Sequence, residues 1–135
     1  MNNEEPKSLP RLLIVEDDQL IASCLARGLR GEVDLTIVNR GEDAMTLLGS
    51  QNQARFDAIL SDLNMPDITG IELRRRIRTI DPVMAERFAF MTGGAIDSKG
   101  NALIDDEPER CLEKPFTIQQ LRAFLRRQGL RVDTP

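Results

Sequence analysis

A chain of 135 residues, 41% of them apolar and 30% charged, can bury one core of ordinary size and leaves little room for a second. A net charge of −4 argues against the basic surface that nonspecific nucleic-acid or anionic-membrane binding needs, and the lack of histidine removes imidazole acid–base chemistry and a histidine phosphoryl carrier. The opening Met-Asn-Asn-Glu-Glu-Pro-Lys lacks a signal peptide's apolar run and no segment is apolar over a bilayer's width, so the chain reads as cytoplasmic, with Cys24 and Cys111 buried and reduced.

Residues 1–10 are polar, contain two prolines and read as a mobile leader. Arg11–Glu16 carries Leu12-Leu13-Ile14-Val15, the continuous apolar run of a strand buried on both faces. A helix is expected over Gln19–Arg30, with Ile21, Cys24, Leu25, Gly28 and Leu29 at helical spacing and Gly31 as its stop. A strand over Leu35–Val38 precedes a short helix over Gly41–Gly49, which uses Ala44, Leu47 and Leu48. Phe56–Asp62 is a third strand, followed by a turn from Pro66 to Gly70. Thr69 suits the N-cap of the next helix, with Glu72 as its capping-box partner. That helix sets Ile71, Leu73, Ile77 and Ile80 inward and ends at Pro82, while the run Arg74-Arg75-Arg76 with Arg78 reads as a solvated face.

A fourth strand covers Phe88–Met91. Asp97–Asp106 is a weak helix, because Gly100 and the acidic run Asp105-Asp106-Glu107-Pro108-Glu109 oppose it. Cys111–Glu113 is a short fifth strand, and Thr117 caps a last helix facing inward through Leu121, Phe124 and Leu125, with Gly129 past its end. Five strands alternating with helices imply an α/β fold: a doubly wound (βα)5 parallel sheet with helices on both faces. Right-handed crossovers favour the flavodoxin-like order 2-1-3-4-5. The expected organisation is a leader over 1–10, one domain over 11–129 and a tail over 130–135, with no DNA-binding output domain.

Such a sheet gathers its functional groups outside the carboxyl ends of its strands. Glu16-Asp17-Asp18, Asp62, Thr92 and Lys114 all fall at such ends. Carboxylates, a hydroxyl and an ammonium on one edge can hold a divalent cation and a phosphoryl group together. Asp62 suits a nucleophile that forms an aspartyl phosphate, and Mg²⁺ suits the surrounding carboxylates. Taken singly, each feature has a plainer explanation. The acidic run could be a solvated first turn, Thr92 a strand-ending β-branched residue and Lys114 a surface lysine.

Four segments resemble, in order and spacing, the signatures of bacterial two-component response-regulator receiver domains of the CheY-like type. They are Leu12-Leu13-Ile14-Val15-Glu16-Asp17-Asp18, Ser61-Asp62-Leu63-Asn64-Met65-Pro66-Asp67-Ile68-Thr69-Gly70, Met91-Thr92-Gly93-Gly94 and Leu112-Glu113-Lys114-Pro115-Phe116. The last two also resemble receivers attached to hybrid sensor histidine kinases. The resemblance implies that Asp62 is the phosphoacceptor. Glu16, Asp17, Asp62 and the backbone carbonyl of Asn64 then hold Mg²⁺ (or Mn²⁺), with Asp18 just outside. It further implies that Lys114 and Thr92 contact the phosphoryl group and switch conformation, that Gly93 and Asn64 lie against that group, and that the Lys114–Pro115 peptide is cis.

The implied partner is a sensor histidine kinase or a histidine phosphotransfer protein, or a kinase domain in the same parent chain. Leu20 and Phe116 are candidates for its docking patch. The implied activity is self-phosphorylation with slow autodephosphorylation, which is signalling rather than classical enzymology. One departure stands out: the position usually held by a switching aromatic is Cys111, so output is expected through local order in residues 95–109 or through phosphoryl flow itself. The competing readings are a receiver-like interaction module that is not phosphorylated, and a phosphatase of the haloacid dehalogenase type. The latter wants an Asp where this chain has Asn64.

Overall fold

The structure, a computed structural model, describes residues 8–49 and 55–132. The leader's residues 1–7 and the last three of the chain therefore lie outside the described residues. Five strands, β1 (Arg11–Val15), β2 (Asp34–Val38), β3 (Ala58–Asp62), β4 (Phe88–Thr92) and β5 (Cys111–Glu113), form one parallel sheet in the order β2-β1-β3-β4-β5. The expected fold class is therefore the observed one. The three inner strands, β1, β3 and β4, are the most buried, as strands covered on both faces must be. Leu12, Leu13, Ile14, Val15, Ile59 and Leu60 have no exposed surface. Each such side chain contributes about 1.5–3 kcal/mol by leaving water.

Alternation along β1 divides the core. Leu12 and Ile14 meet α1 (Gln19–Gly28) and α6 (Ile118–Arg127) through Leu25, Leu121, Phe124 and Leu125. Leu13 and Val15 face the other layer: α2 (Gly41–Leu48), α3 (Gly70–Ile80), α4 (Pro82–Ala85) and α5 (Ser98–Asp106). The strand register sets the functional edge. Val15 pairs with Ser61, so Glu16, the first residue past β1, stands beside Asp62, the last residue of β3. Asp62 pairs with Met91 and Thr92 with Glu113, which puts Thr92 and Lys114 one step beyond on the same edge.

Caps fix the helix starts. Asp18 accepts from Leu20 N and Ile21 N, Thr69 from Glu72 N, Asp97 from Gly100 N, and Thr117 makes a complete capping box with Gln120. Only half of the box expected at Thr69 forms, because the Glu72 carboxylate pairs instead with Arg75 and Arg76. The weak helix near residue 100 does form. Gly100 is buried, and a Cβ there would lie 2.4 Å from Ile96 Cγ2, so close packing outweighs its poor propensity.

Several expectations are corrected. The segment after α6 is not a free tail, since Leu130 and Val132 are buried in the α1–α6 core. Gly129, at φ +97°, turns the chain so that Leu130 N reaches Leu125 O, and Leu130 then packs inward. Cys24 is exposed, because α1 buries Leu25 and Leu29 and leaves that flank to solvent. Ile80 is also exposed. Pro82 does not simply end a helix: Asp81 accepts from Met84 N, and Pro82 opens the one-turn α4.

Arg74, expected on a solvated face, is buried. Its guanidinium donates to Ala85 O at 3.0 Å and to both carboxylate oxygens of Glu107 at 3.0 and 3.4 Å. Arg110 adds bonds to the same Glu107 at 2.8 Å and to Glu86 O and Phe88 O. The acidic run thus supplies the anion that satisfies two cations and ties the C-terminal end of α5 to α3 and α4.

The Arg74 hydrogen bonds, with smaller help from Arg110, hold the Glu107 carboxyl below its ordinary value of 4.5. Its contribution to stability is therefore complete above about pH 5 and is lost as pH falls below the ordinary value. Urea melts should show Glu107→Gln less stable than the parent by about 1 kcal/mol at pH 7. The gap should narrow between about pH 5 and pH 3. A gap that does not change with pH would contradict this assignment.

Candidate functional site

The carboxyl edge of the sheet brings four charged groups together. Lys114, leaving β5, places Nζ 2.8 Å from Glu16 Oε1 and 3.0 Å from Asp62 Oδ2. Glu16 is only 1% exposed, a depth at which a carboxylate must be paired, and it also accepts from Asp18 N at 3.1 Å. Burial raises the Glu16 carboxyl above its ordinary range, while the hydrogen bond from Lys114 pulls it back part of the way. Burial works against the Lys114 ammonium, but its bonds to Glu16 and Asp62 together outweigh that and raise its pKa.

Asp17 completes the group. Carboxylate oxygens of Glu16, Asp17 and Asp62 all lie within 4.8 Å of one another, and no other cluster of this kind occurs among the described residues. Asp18 is not in it, because its carboxylate caps α1. Three carboxylates facing one ammonium leave an excess of negative charge. An all-oxygen donor set of this charge fits a hard divalent cation such as Mg²⁺.

Local sequence explains how the site is held. A Cβ on Gly70 would stand 2.7 Å from the Asp62 carbonyl oxygen and 3.1 Å from Ser61 Oγ, so only glycine lets α3 begin this close under the end of β3. Gly70 N bonds Leu63 O at 3.0 Å and closes the loop between them. Within that loop Asn64 donates its backbone N–H to Asp62 Oδ1 at 3.2 Å and its side-chain amide to Ala95 O at 2.9 Å. Thr92 is buried at the end of β4, and its carbonyl accepts from Lys114 N at 2.6 Å. At Gly93 a Cβ would lie 3.1 Å from Lys114 Cβ. The glycine therefore makes room for the stem of Lys114 in this structure. The Lys114–Pro115 peptide is cis.

Residues 12–126 match the family described as the response regulator receiver domain. The chain belongs to that family. It is 29% identical over 126 residues to the transcriptional regulatory protein CutR of Streptomyces coelicolor, covering 93% of this chain and 56% of CutR. It is 32% identical over 135 residues to the transcriptional regulatory protein PrrA of Mycobacterium tuberculosis, covering 89% of this chain and 52% of PrrA. The chain thus spans about half the length of these relatives.

Among solved structures, the signal receiver domain of an HD-domain-containing protein from Pseudomonas fluorescens Pf-5 superposes with a TM-score of 0.72 at 26% identity, covering 95% of this chain and 92% of that one. The chemotaxis response regulator CheY4 of Vibrio cholerae gives 0.73 at 24% identity, covering 90% and 99%, and confirms the fold. Receivers in general bind Mg²⁺ at an acidic pocket and interact with histidine kinases or phosphotransfer proteins. This receiver has the acidic cluster.

The two residues expected to form a docking patch do share a surface. Leu20, 79% exposed, and Phe116 line an open apolar groove of about 420 Å³ between α1 and the β5–α6 turn, with Ile21, Cys24 and Pro115 and with Lys114 at its edge. Cys111 is half-buried; burial first, then the charges of Glu107 and Glu109, push its thiol up to about 11. The receiver's two thiols should therefore differ in reactivity. Iodoacetamide at pH 7.5 followed by peptide mapping should label exposed Cys24 first and Cys111 many times more slowly; equal rates would contradict the burial of Cys111.

Proposed function

We propose that this receiver is the phosphoacceptor of a two-component phosphorelay, with Asp62 taking a phosphoryl group from a phosphohistidine on a sensor kinase or phosphotransfer protein. The observation that carries the reading is the convergence of Glu16, Asp17, Asp62 and Lys114 on one sheet edge. Glu16, Asp17, Asp62 and the Asn64 carbonyl would hold Mg²⁺, or Mn²⁺ in its place. The cation would neutralise the carboxylates and the phosphoryl oxygens so that an anion can approach an anion.

An Asp62 carboxylate oxygen attacks phosphorus. The new P–O bond forms as the P–N bond to the donor imidazole breaks, and the imidazole leaves with its electron pair and takes up a proton. Lys114 would exchange part of its contact with Asp62 for a phosphoryl oxygen, as a point charge. Thr92 would donate its hydroxyl to another oxygen, and its movement would be the switch. The Gly93 and Asn64 backbone would lie against the same group.

The donor would dock along Leu20 and Phe116, a groove that leads to Lys114. With Cys111 in place of an aromatic, and with Glu107 held by Arg74 and Arg110, the output would be a local change in order over residues 95–109. The reading places the protein in the cytoplasm, where such donors work. Among the described residues no helix is long and apolar enough to cross a membrane.

Intact mass after incubation with phosphoramidate and Mg²⁺ tests the chemistry. One phosphoryl increment is expected for the parent, with none for Asp62→Asn or in EDTA. No increment from either phosphoramidate or a phosphorylated histidine donor would leave an interaction module that carries no phosphoryl group.

A further inference from the structure

The loop that joins β3 to α3 carries Asn64 and then projects Asp67 away from the site. There Asp67 reaches a different helix. Its Oδ1 accepts from Gly41 N at 3.1 Å and its Oδ2 from Glu42 N at 2.8 Å. Both carboxylate oxygens are therefore used on the first turn of α2, whose own N-cap residue, Arg40, supplies no side-chain bond. These backbone donors hold the Asp67 carboxyl below its ordinary range against the opposing effect of burial.

The contact is also steric. A Cβ on Gly41 would stand 2.3 Å from Ile68 Cγ1 and 2.8 Å from its Cδ1, so Ile68 seats where any larger residue would project. Gly41, Asp67 and Ile68 thus form a clasp between α2 and the tip of the loop. An ordinary N-cap is local in sequence, whereas this one comes from 25 residues away and joins two elements.

We propose that Asp67 is a positioning residue for the cation site, acting by fixing the path of the loop that presents the Asn64 carbonyl. The proposal rests on the reading that the Asp62 site holds Mg²⁺. At its first end the loop is tied by Asn64 N to Asp62 and by the Asn64 amide to Ala95 O, and it closes at Gly70 N to Leu63 O. Its middle, Met65 to Ile68, is set by the clasp. Among the described residues no N–H or side chain donates to the Asn64 carbonyl, which leaves that oxygen for a cation. A loop freed at Asp67 keeps the two bonds of Asn64 but loses the restraint on Met65 to Ile68, so the peptide that carries the carbonyl is held from one side only. Groups that orient a metal ligand in this way are typically worth about 10–100-fold in affinity.

Mn²⁺ binding followed by electron paramagnetic resonance, with Mg²⁺ as competitor, reads the effect without any phosphoryl transfer. Asp67→Ala is expected to bind Mn²⁺ at least about tenfold more weakly than the parent. Asp67→Asn keeps one acceptor and should fall between. Thr46→Gly weakens α2 from its exposed side without touching the loop; it should lower Tm and leave Mn²⁺ affinity unchanged. Parent-like affinity in Asp67→Ala would overturn the proposal, and so would an equal loss in Thr46→Gly, which would make the effect one of helix stability. Failure of the parent itself to bind would overturn the reading of the Asp62 site, and this proposal with it.

Discussion

The structure depends on one ammonium group. Lys114 reaches back from the end of β5 to Glu16 just after β1 and to Asp62 at the end of β3, and so links three strands across the intervening β4. Glu16 is almost wholly buried, and an unpaired carboxylate at that depth would cost several kcal/mol. The pairing follows from parallel strands in the order β2-β1-β3-β4-β5, whose carboxyl ends fall on one edge of the sheet. It also needs two close approaches, at Gly70 beneath the end of β3 and at Gly93 beside the stem of Lys114. Without added cations the edge is still more negative than positive, with three carboxylates against one ammonium.

Charge in this chain has two separate uses. On the carboxyl edge, three carboxylates meet one ammonium and keep an excess of negative charge. On the α3–α5 side, Arg74, Arg110 and Glu107 satisfy one another and nearby carbonyls, and leave nothing to react. That second cluster anchors the C-terminal end of α5 to α3 and α4. Cys111, whose Sγ lies 3.7 Å from Glu107 O, is part of that anchor and cannot swing as a bulky ring could.

The sheet and the gathering of Glu16, Asp17 and Asp62 are legible in sequence because β1 and β3 are short apolar runs that lead straight into carboxylates, whereas β5, which carries Lys114, has little apolar signal of its own. Periodicity sufficed where one face is buried throughout, as in α6. It misplaced Cys24 and Ile80, since helical spacing marks a stripe and not its edges. The fate of the arginine run was hidden, because Arg74 owes its burial to Glu107, which is 33 residues distant in sequence. Asp67 looked like any turn aspartate after a proline, and its partners on α2 also lie far off in the chain. Leu130 and Val132 look like a tail in sequence because Gly129 stops a helix but does not announce where the chain goes next. What local sequence could not carry was, in each case, a pairing fixed by tertiary geometry.

The proposed chemistry requires that Asp62, and not another carboxylate of the cluster, accept the phosphoryl group. Borohydride reduction of the phosphorylated protein, followed by peptide sequencing by mass spectrometry, tests it directly, because an acyl phosphate is reduced to an alcohol while free carboxylates are not. Homoserine is expected at position 62, with unmodified residues at 16 and 17. Reduction at Glu16 or Asp17, or phosphorylation that yields no reduced residue at all, would contradict it.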